Sequence, residues 1–174
     1  MRLELTRSIV RDFRPSDAAS IVAHANNRKI WMNLRDRFPS PYTAADAKFF
    51  LDRVAELSIP TVWAIEADGQ AVGGIGLELL SDVERVSAEL GYWLGEDYWN
   101  RGIVTEAVRE VTAESFRRLE LTRVFALPFE ENVASIRVLE KAGFVLEGTL
   151  RQSAIKDGVI RSQRLYAAYR PRPL

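Results

Sequence analysis

The chain has 174 residues, 47% hydrophobic and 28% charged, the composition of an ordinary globular protein with a real core. Its 24 Lys and Arg balance 24 Asp and Glu, so no global basic surface argues for nucleic acid or an acidic membrane as partner. The absence of cysteine excludes a disulfide framework, a zinc–thiolate site and a cysteine nucleophile; any thioester chemistry must use a thiol brought by another molecule. No stretch reaches the roughly 18 apolar residues needed to span a bilayer, and the N-terminus lacks the apolar core and cleavage site of a signal peptide. The expectations are one domain over residues 1–174, in the cytoplasm.

In chain order, residues 5–13 read as an opening strand. Pro15, Ser16 and Asp17 then start a helix whose apolar stripe is Ala19, Ile21, Val22 and Ala25. His24, the only histidine, lies on this helix without another catalytic group nearby in sequence, which fits a surface or packing role. Residues 26–42 mix Trp31, Met32, Leu34, Phe38 and Tyr42 with Arg28, Arg35, Asp36 and Arg37, and Pro39 and Pro41 prevent a long regular element. This reads as a loop laying aromatics over the core. Thr43 caps a helix over 44–57, with Ala47, Phe50, Leu51 and Val54 on its buried face.

Residues 61–67 and 70–80 form a predicted hairpin around Asp68-Gly69. Gly73, Gly74 and Gly76 inside its second strand point to a twisted or bulged strand, since no helix follows them to make a phosphate loop. After a charged turn at 81–85 comes the stretch around which the chain is organised, residues 89–111. Leu90, Tyr92 and Leu94 alternate with Glu89, Gly91 and Trp93 as a strand, Gly95, Glu96 and Asp97 punctuate it, and a helix follows Gly102 with Val104, Ala107, Val108 and Val111 on one face. No Pro interrupts 100–105, so every backbone N–H is retained where a helix leaves its first donors without internal acceptors. Such a turn holds an anion, and Gly102 admits a phosphate to the backbone. The Gly-Lys-Ser/Thr of a P-loop and the dinucleotide fingerprint are both missing. A strand over 123–127, a helix carrying Val133, Ile136, Val138, Leu139 and Ala142 that ends at Gly143, and closing strands over 144–150 and 159–169 complete the chain, with 170–174 as a loose tail.

The runs YWNRGIVTEAV (98–108) and NVASIRVLEKAGFVLEG (132–148), with FPSPYTAADA (38–47) and AELGYWL (88–94), resemble the GCN5-related N-acetyltransferase (GNAT) superfamily, and within it the RimJ/RimL branch of ribosomal-protein alanine N-acetyltransferases. The family's pyrophosphate-loop pattern is Gln/Arg-x-x-Gly-x-Gly/Ala; here Trp99 and Val104 depart from its first and last positions, while the backbone donors remain. The resemblance implies an α/β (α+β) fold with a mixed sheet of about six to seven strands flanked by about four helices. It places acetyl-CoA, with no metal, in a cleft between splayed central strands. It implies cofactor contacts from Trp93, Leu94, Asn100, Arg101, Gly102, Ile103, Val104, Thr105, Asn132, Ser135 and Lys141. It puts Trp31, Phe38 and Tyr42 on the acceptor side, and makes a homodimer an expectation.

Acetyl transfer to an amine needs a base for the amine proton, donors for the oxyanion and an acid for the departing thiolate. By resemblance to the family's histone acetyltransferases Glu89 is the first candidate base, and Glu78 on the preceding strand is the second. A main-chain N–H near Trp93 or Leu94 would meet the oxyanion. The Tyr that many members use as acid is replaced by Leu139, and Ser135 matches a Ser of RimL-type enzymes able to donate to sulfur. Two function classes stay open: an enzyme acetylating a primary amine, most naturally a protein N-terminus, with polyamine, amino acid or antibiotic as other acceptors; or an acetyl-CoA sensor or inactive partner module.

Overall fold

In the computed structural model, which describes residues 1–171, the sequence patterns become eight strands and five α-helices among the described residues. The strands are β1 (Arg2–Glu4), β2 (Ile9–Arg11), β3 (Val62–Ala67), β4 (Gln70–Leu79), β5 (Ser87–Leu94), β6 (Arg123–Ala126), β7 (Val145–Lys156) and β8 (Val159–Tyr169). The helices are α1 (Ala18–Ala25), α2 (Arg28–Trp31), α3 (Ala44–Ala55), α4 (Ile103–Arg118) and α5 (Val133–Lys141). The sheet order is β1-β2-β3-β4-β5-β6-β8-β7, and the parallel β5–β6 pair among antiparallel neighbours makes it mixed.

The fold class is the one expected, with more elements than the sequence announces. Of the opening strand expected over 5–13 only β2 is strand; residues 5–8 form a turn, closed by the Leu5 N–H donating to Ser8 O at 2.9 Å, that leads back to β1 ahead of the expected range. The fifth helix, α2, spans four residues, too short for a periodic stripe to show; its start is set by Asn27, whose side chain accepts from Lys29 N. β7 runs on to Lys156 through two register shifts and a Gln152 φ of 53°. The β3–β4 and β7–β8 hairpin turns follow the Asp-Gly rule: Asp68 and Gly69, like Asp157 and Gly158, all have left-handed φ.

The chain forms two compact units, Met1–Gly76 with Tyr92–Ala107, and Leu77–Gly91 with the chain from Val108 onward. In the first, Ile21, Ala25, Tyr42 and Ala47 form a buried cluster, with Phe13, Phe38, Phe50, Leu51 and Trp93 packed against it. Beside this core Arg11 is buried, and both terminal nitrogens of its guanidinium donate to Asp17 at 2.8 Å while Nε donates to Glu66. A buried guanidinium is tolerated only when its charge and donors are met in this way. Thr43 caps α3 in a reciprocal box with Asp46.

In the second unit, the part of α4 beyond Ala107 buries Val108 and Val111, and α5 buries Leu139 before Gly143, at φ 91°, ends it. Arg170, expected in the loose tail, is held: its N–H donates to Thr122 O at 2.9 Å and its guanidinium to the Phe116 and Leu119 carbonyls, where α4 leaves acceptors unused. Residues 172–174 of that tail lie outside the described residues.

Candidate active site

The turn between β5 and α4 is fixed from several sides. Gly95 N–H donates to Val72 O at 2.8 Å, Trp99 Nε1 to Leu94 O at 2.7 Å, and Tyr98 Oη to Asp68 Oδ2 at 3.1 Å, while the Arg101 guanidinium lies 5.0 Å from the Tyr98 ring centroid. The Asp68 carboxylate and burial push the Tyr98 hydroxyl pKa up, burial being the larger cause. His24 packs edge-on to Tyr98 with ring centroids 5.6 Å apart, and its ring also crowds Gly95, the packing role expected of it.

At the end of this turn Asn100 and Gly102 have φ of 60° and 78°, and the chain enters α4 with Glu106 N–H donating to Gly102 O at 3.1 Å. The N–H groups of Ile103, Val104 and Thr105 therefore belong to the first turn, where the helix supplies no acceptors. Asn100, Arg101 and Gly102 are exposed, and a Cβ built on Gly102 would meet nothing within 4 Å. Ile103 is 3% exposed and anchors the turn to the core. Open glycine backbone, first-turn amides and the Arg101 charge together fit a phosphate group.

The glycines of β4 prove to be a cradle. A Cβ on Gly73 would lie 2.5 Å from Trp93 O, and one on Gly74 would lie 2.8 Å from Trp93 Nε1. Only glycine admits β5 this closely, so Trp93 is seated against bare backbone. Its ring meets Phe38 at 5.9 Å, and Phe38 meets Tyr42 at 4.9 Å, so two of the three acceptor-side candidates join Trp93 in one aromatic cluster. Phe38 and Trp93 are half-buried, whereas Tyr42 is 5% exposed and backs the cluster from within. Trp31, the third, lies under the Arg28 guanidinium at 5.1 Å.

The remaining candidates lie in the second unit. β5 pairs with β6 from Ser87 to Glu89, and the ladder ends with Glu89 opposite Phe125. The Leu80 N–H donates to Ser87 O at 3.1 Å where β4 leads into β5. Of the two candidate carboxylates on these neighbouring strands, Glu89 is half-buried and Glu78 exposed. On α5, Asn132 accepts from the Ser135 backbone N–H at 3.2 Å as the helix cap, which fixes the Asn132 side chain and places Ser135 in the first turn of the helix. Leu139 is fully buried, and Lys141 is exposed in the last turn, where a cation suits the helix dipole. Among the described residues no group of three or more His, Cys, Asp or Glu is arranged to hold a metal.

Sequence reasoning missed Thr6 and Arg7. Thr6 N and Oγ1 both donate to Glu106 Oε1, at 3.1 and 2.7 Å, and Arg7 Nη1 donates to Arg101 O at 2.8 Å. They reach the turn across some hundred residues of sequence, so no local pattern announces them.

An acetyltransferase (GNAT) domain model matches residues 7–145. The chain belongs to the GNAT family. It is therefore an N-acetyltransferase. It is 30% identical over 174 residues to the uncharacterized N-acetyltransferase YoaA of Bacillus subtilis (strain 168), covering 98% of this chain and 97% of that one. It is 27% identical over 106 residues to the ribosomal-protein-serine acetyltransferase of Escherichia coli (strain K12), covering 61% and 59% of the two chains. Among solved structures it is similar in fold to RimL, a ribosomal L7/L12 alpha-N-protein acetyltransferase in complex with coenzyme A, with a TM-score of 0.86, 19% identity and coverage of 97% and 98%. No helix among the described residues is long and apolar enough to cross a membrane.

Proposed function

We propose that this GNAT acetyltransferase moves the acetyl group of acetyl-CoA to the α-amino group of a protein or peptide N-terminus, with Glu89 as general base. The observation that carries the cofactor half is the Gly102 turn, open at the glycine and backed by the first amides of α4. The acceptor half is supported by the ribosomal-protein-serine acetyltransferase and the RimL structure, whose names record protein acceptors.

Acetyl-CoA supplies an activated thioester, whose carbon–sulfur bond breaks as the acceptor nitrogen forms its bond to the acetyl carbon. In this reading Gly102 to Thr105 hold the pyrophosphate by backbone N–H, with Asn100 and Arg101 shaping the turn. The Asn132 side chain contacts the pantetheine arm, Lys141 lies along the cofactor side of α5, and a main-chain N–H near Trp93 or Leu94 stabilises the developing oxyanion. Glu89 takes the amine proton directly or through water, with Glu78 as the second candidate carboxylate; Ser135 donates a hydrogen bond to the departing sulfur, and the proton taken from the amine returns to the thiolate through water. Phe38 and Tyr42, with Trp31, form the acceptor wall. Residues 1–174 act as one catalytic domain in the cytoplasm, and sedimentation would report whether two copies assemble as a homodimer.

The test is free-thiol release from acetyl-CoA with Ala- and Ser-starting peptides, spermidine and an aminoglycoside. Selective turnover of the peptides is expected, and Glu89→Gln should lower kcat by about 10²–10⁴-fold while leaving CoA affinity intact. Turnover of another amine alone would move the acceptor class. CoA binding with no acetylation of any amine would favour a sensor or inactive partner.

A further inference from the structure

Arg7 sits behind the phosphate-binding turn. Its Nη1 donates to the carbonyl of Arg101 at 2.8 Å, in the peptide unit that joins Arg101 to Gly102. That peptide is trans, the Ser40–Pro41 bond being the cis bond recorded in the backbone. In a planar trans peptide the C=O and the N–H point in opposite directions. A donor that holds the Arg101 carbonyl therefore fixes the Gly102 N–H facing away from Arg7.

This peptide is one that needs holding. Gly102 has φ 78°, and glycine occupies φ of either sign at little cost, so rotation of the 101–102 peptide meets no side-chain barrier at Gly102. Nothing within 4 Å of the built Cβ position restrains it from the open side. The loop that carries Arg7 is itself anchored: Leu5 N–H closes it onto Ser8 O, and Thr6 bonds twice to Glu106, in the first turns of α4. The guanidinium is thus fixed to the same helix end whose peptide it grips.

We propose that Arg7 is a positioning residue for acetyl-CoA binding: by holding the Arg101 carbonyl it keeps the Gly102 N–H turned toward the pyrophosphate. The inference rests on the acetyl-CoA reading of this turn, and goes beyond it by assigning a role to a residue on the distant β1–β2 loop. Arg7 acts on the amide from behind rather than touching phosphate.

The test is isothermal titration of CoA and of dephospho-CoA, which keeps the pyrophosphate and lacks the 3′-phosphate, into wild type, Arg7→Ala and Arg7→Lys. Glycine-selective ¹⁵N spectra of each protein are recorded alongside. Arg7→Ala should weaken both ligands by the same factor, about tenfold, and shift or broaden the Gly102 amide in the ligand-free protein. Arg7→Lys, which keeps one donor for the carbonyl, should recover most of the affinity. Loss confined to CoA would mean that Arg7 contacts the 3′-phosphate, and would overturn the positioning role. Unchanged affinities with a lowered Tm would reduce Arg7 to a structural residue. If wild type bound neither ligand, the acetyl-CoA reading would fall and the inference with it; wild-type binding unaltered by Arg7→Ala would remove the inference alone.

Discussion

Asn27 faces two ways and joins α2 to the turn ahead of α4: its Oδ1 accepts from Lys29 N–H at 2.8 Å, and its Nδ2 donates to Glu96 at 2.7 Å. Lys29 Nζ bonds the same carboxylate, and this bond, followed by that of Asn27, holds the Glu96 pKa below the usual carboxylate range. The segment leading to Trp31 and Phe38 is thereby tied to the turn leading to Gly102. Asn27→Ala should cost about 1 kcal/mol by urea melts, the ordinary value of an N-cap. Asn27→Asp separates cap from tie, because it still caps but sets a carboxylate against Glu96. A loss for Asp as large as for Ala would locate the stabilisation in the Glu96 contact; full retention would locate it in the cap.

The Gly73 cradle makes a steric prediction. A methyl group 2.5 Å from a backbone oxygen cannot be relieved by a side-chain rotation, so β5 must move. Gly73→Ala should destabilise by about 1–3 kcal/mol and shift the tryptophan emission as Trp93 leaves its seat. Gly91→Ala, where the added group meets nothing within 4 Å, is the control and should leave the emission unchanged.

The Arg11–Asp17 pair governs acid stability. Burial alone would raise the Asp17 pKa, but the Arg11 guanidinium and the Arg14 N–H outweigh it and hold the carboxyl below its ordinary value. A depressed carboxylate stabilises above its unfolded pKa and loses that contribution as pH falls through the folded value. Asp17→Asn should therefore flatten the acid limb of a stability–pH curve. At neutral pH it should cost about 3 kcal/mol, the lower end for a broken buried pair because Glu66 still bonds Arg11. An unchanged acid limb would mean that other carboxylates carry it.

Tyr42 sets an alkaline counterpart. Burial, then the nearby Asp46 carboxylate, push its hydroxyl up to about 12. Because the folded chain binds this proton more tightly, the contribution is whole below the unfolded value of about 10 and is lost as pH rises to about 12. Tyr42→Phe should remove a phenol that ionises near pH 12 from an ultraviolet titration and reduce destabilisation in that window. Loss of an earlier step instead would place the Tyr42 hydroxyl in contact with solvent.

How far the sequence could be read depended on how local the cause was. Asp68-Gly69 names its own turn because both residues tolerate left-handed φ, and Gly143 names the end of α5 for the same reason. The strand, turn and helix of residues 87–118 were legible from alternation and helical spacing that burial of Leu90, Leu94, Ala107 and Val111 now explains. Gly73 and Gly74 were visible as a strand anomaly, yet their cause, the approach of Trp93, lies on another strand. Thr6, Arg7 and Arg170 act through bonds to main-chain carbonyls or a carboxylate far along the chain, and a charge that seeks a carbonyl leaves no periodic mark. Leu139 shows the reverse case, since its complete burial explains a hydrophobic residue where many relatives are expected to carry tyrosine.

The register shifts in β7 bear on how the molecules behave when crowded together. β7 is an edge strand of twelve residues that exposes Val145, Leu146, Leu150 and Ile155, a length and composition inviting a second strand to add to it. Its ladder with β8 is interrupted between Leu146 and Gly148 and again between Leu150 and Ala154, and Gln152 turns the backbone left-handed between those points. An incoming straight strand would find its hydrogen-bonding groups in phase over only a few residues at a time. The irregularity that hid the true length of β7 thus also guards the protein against sheet-to-sheet aggregation, and straightening it by deletion would be expected to lower solubility before it altered the fold.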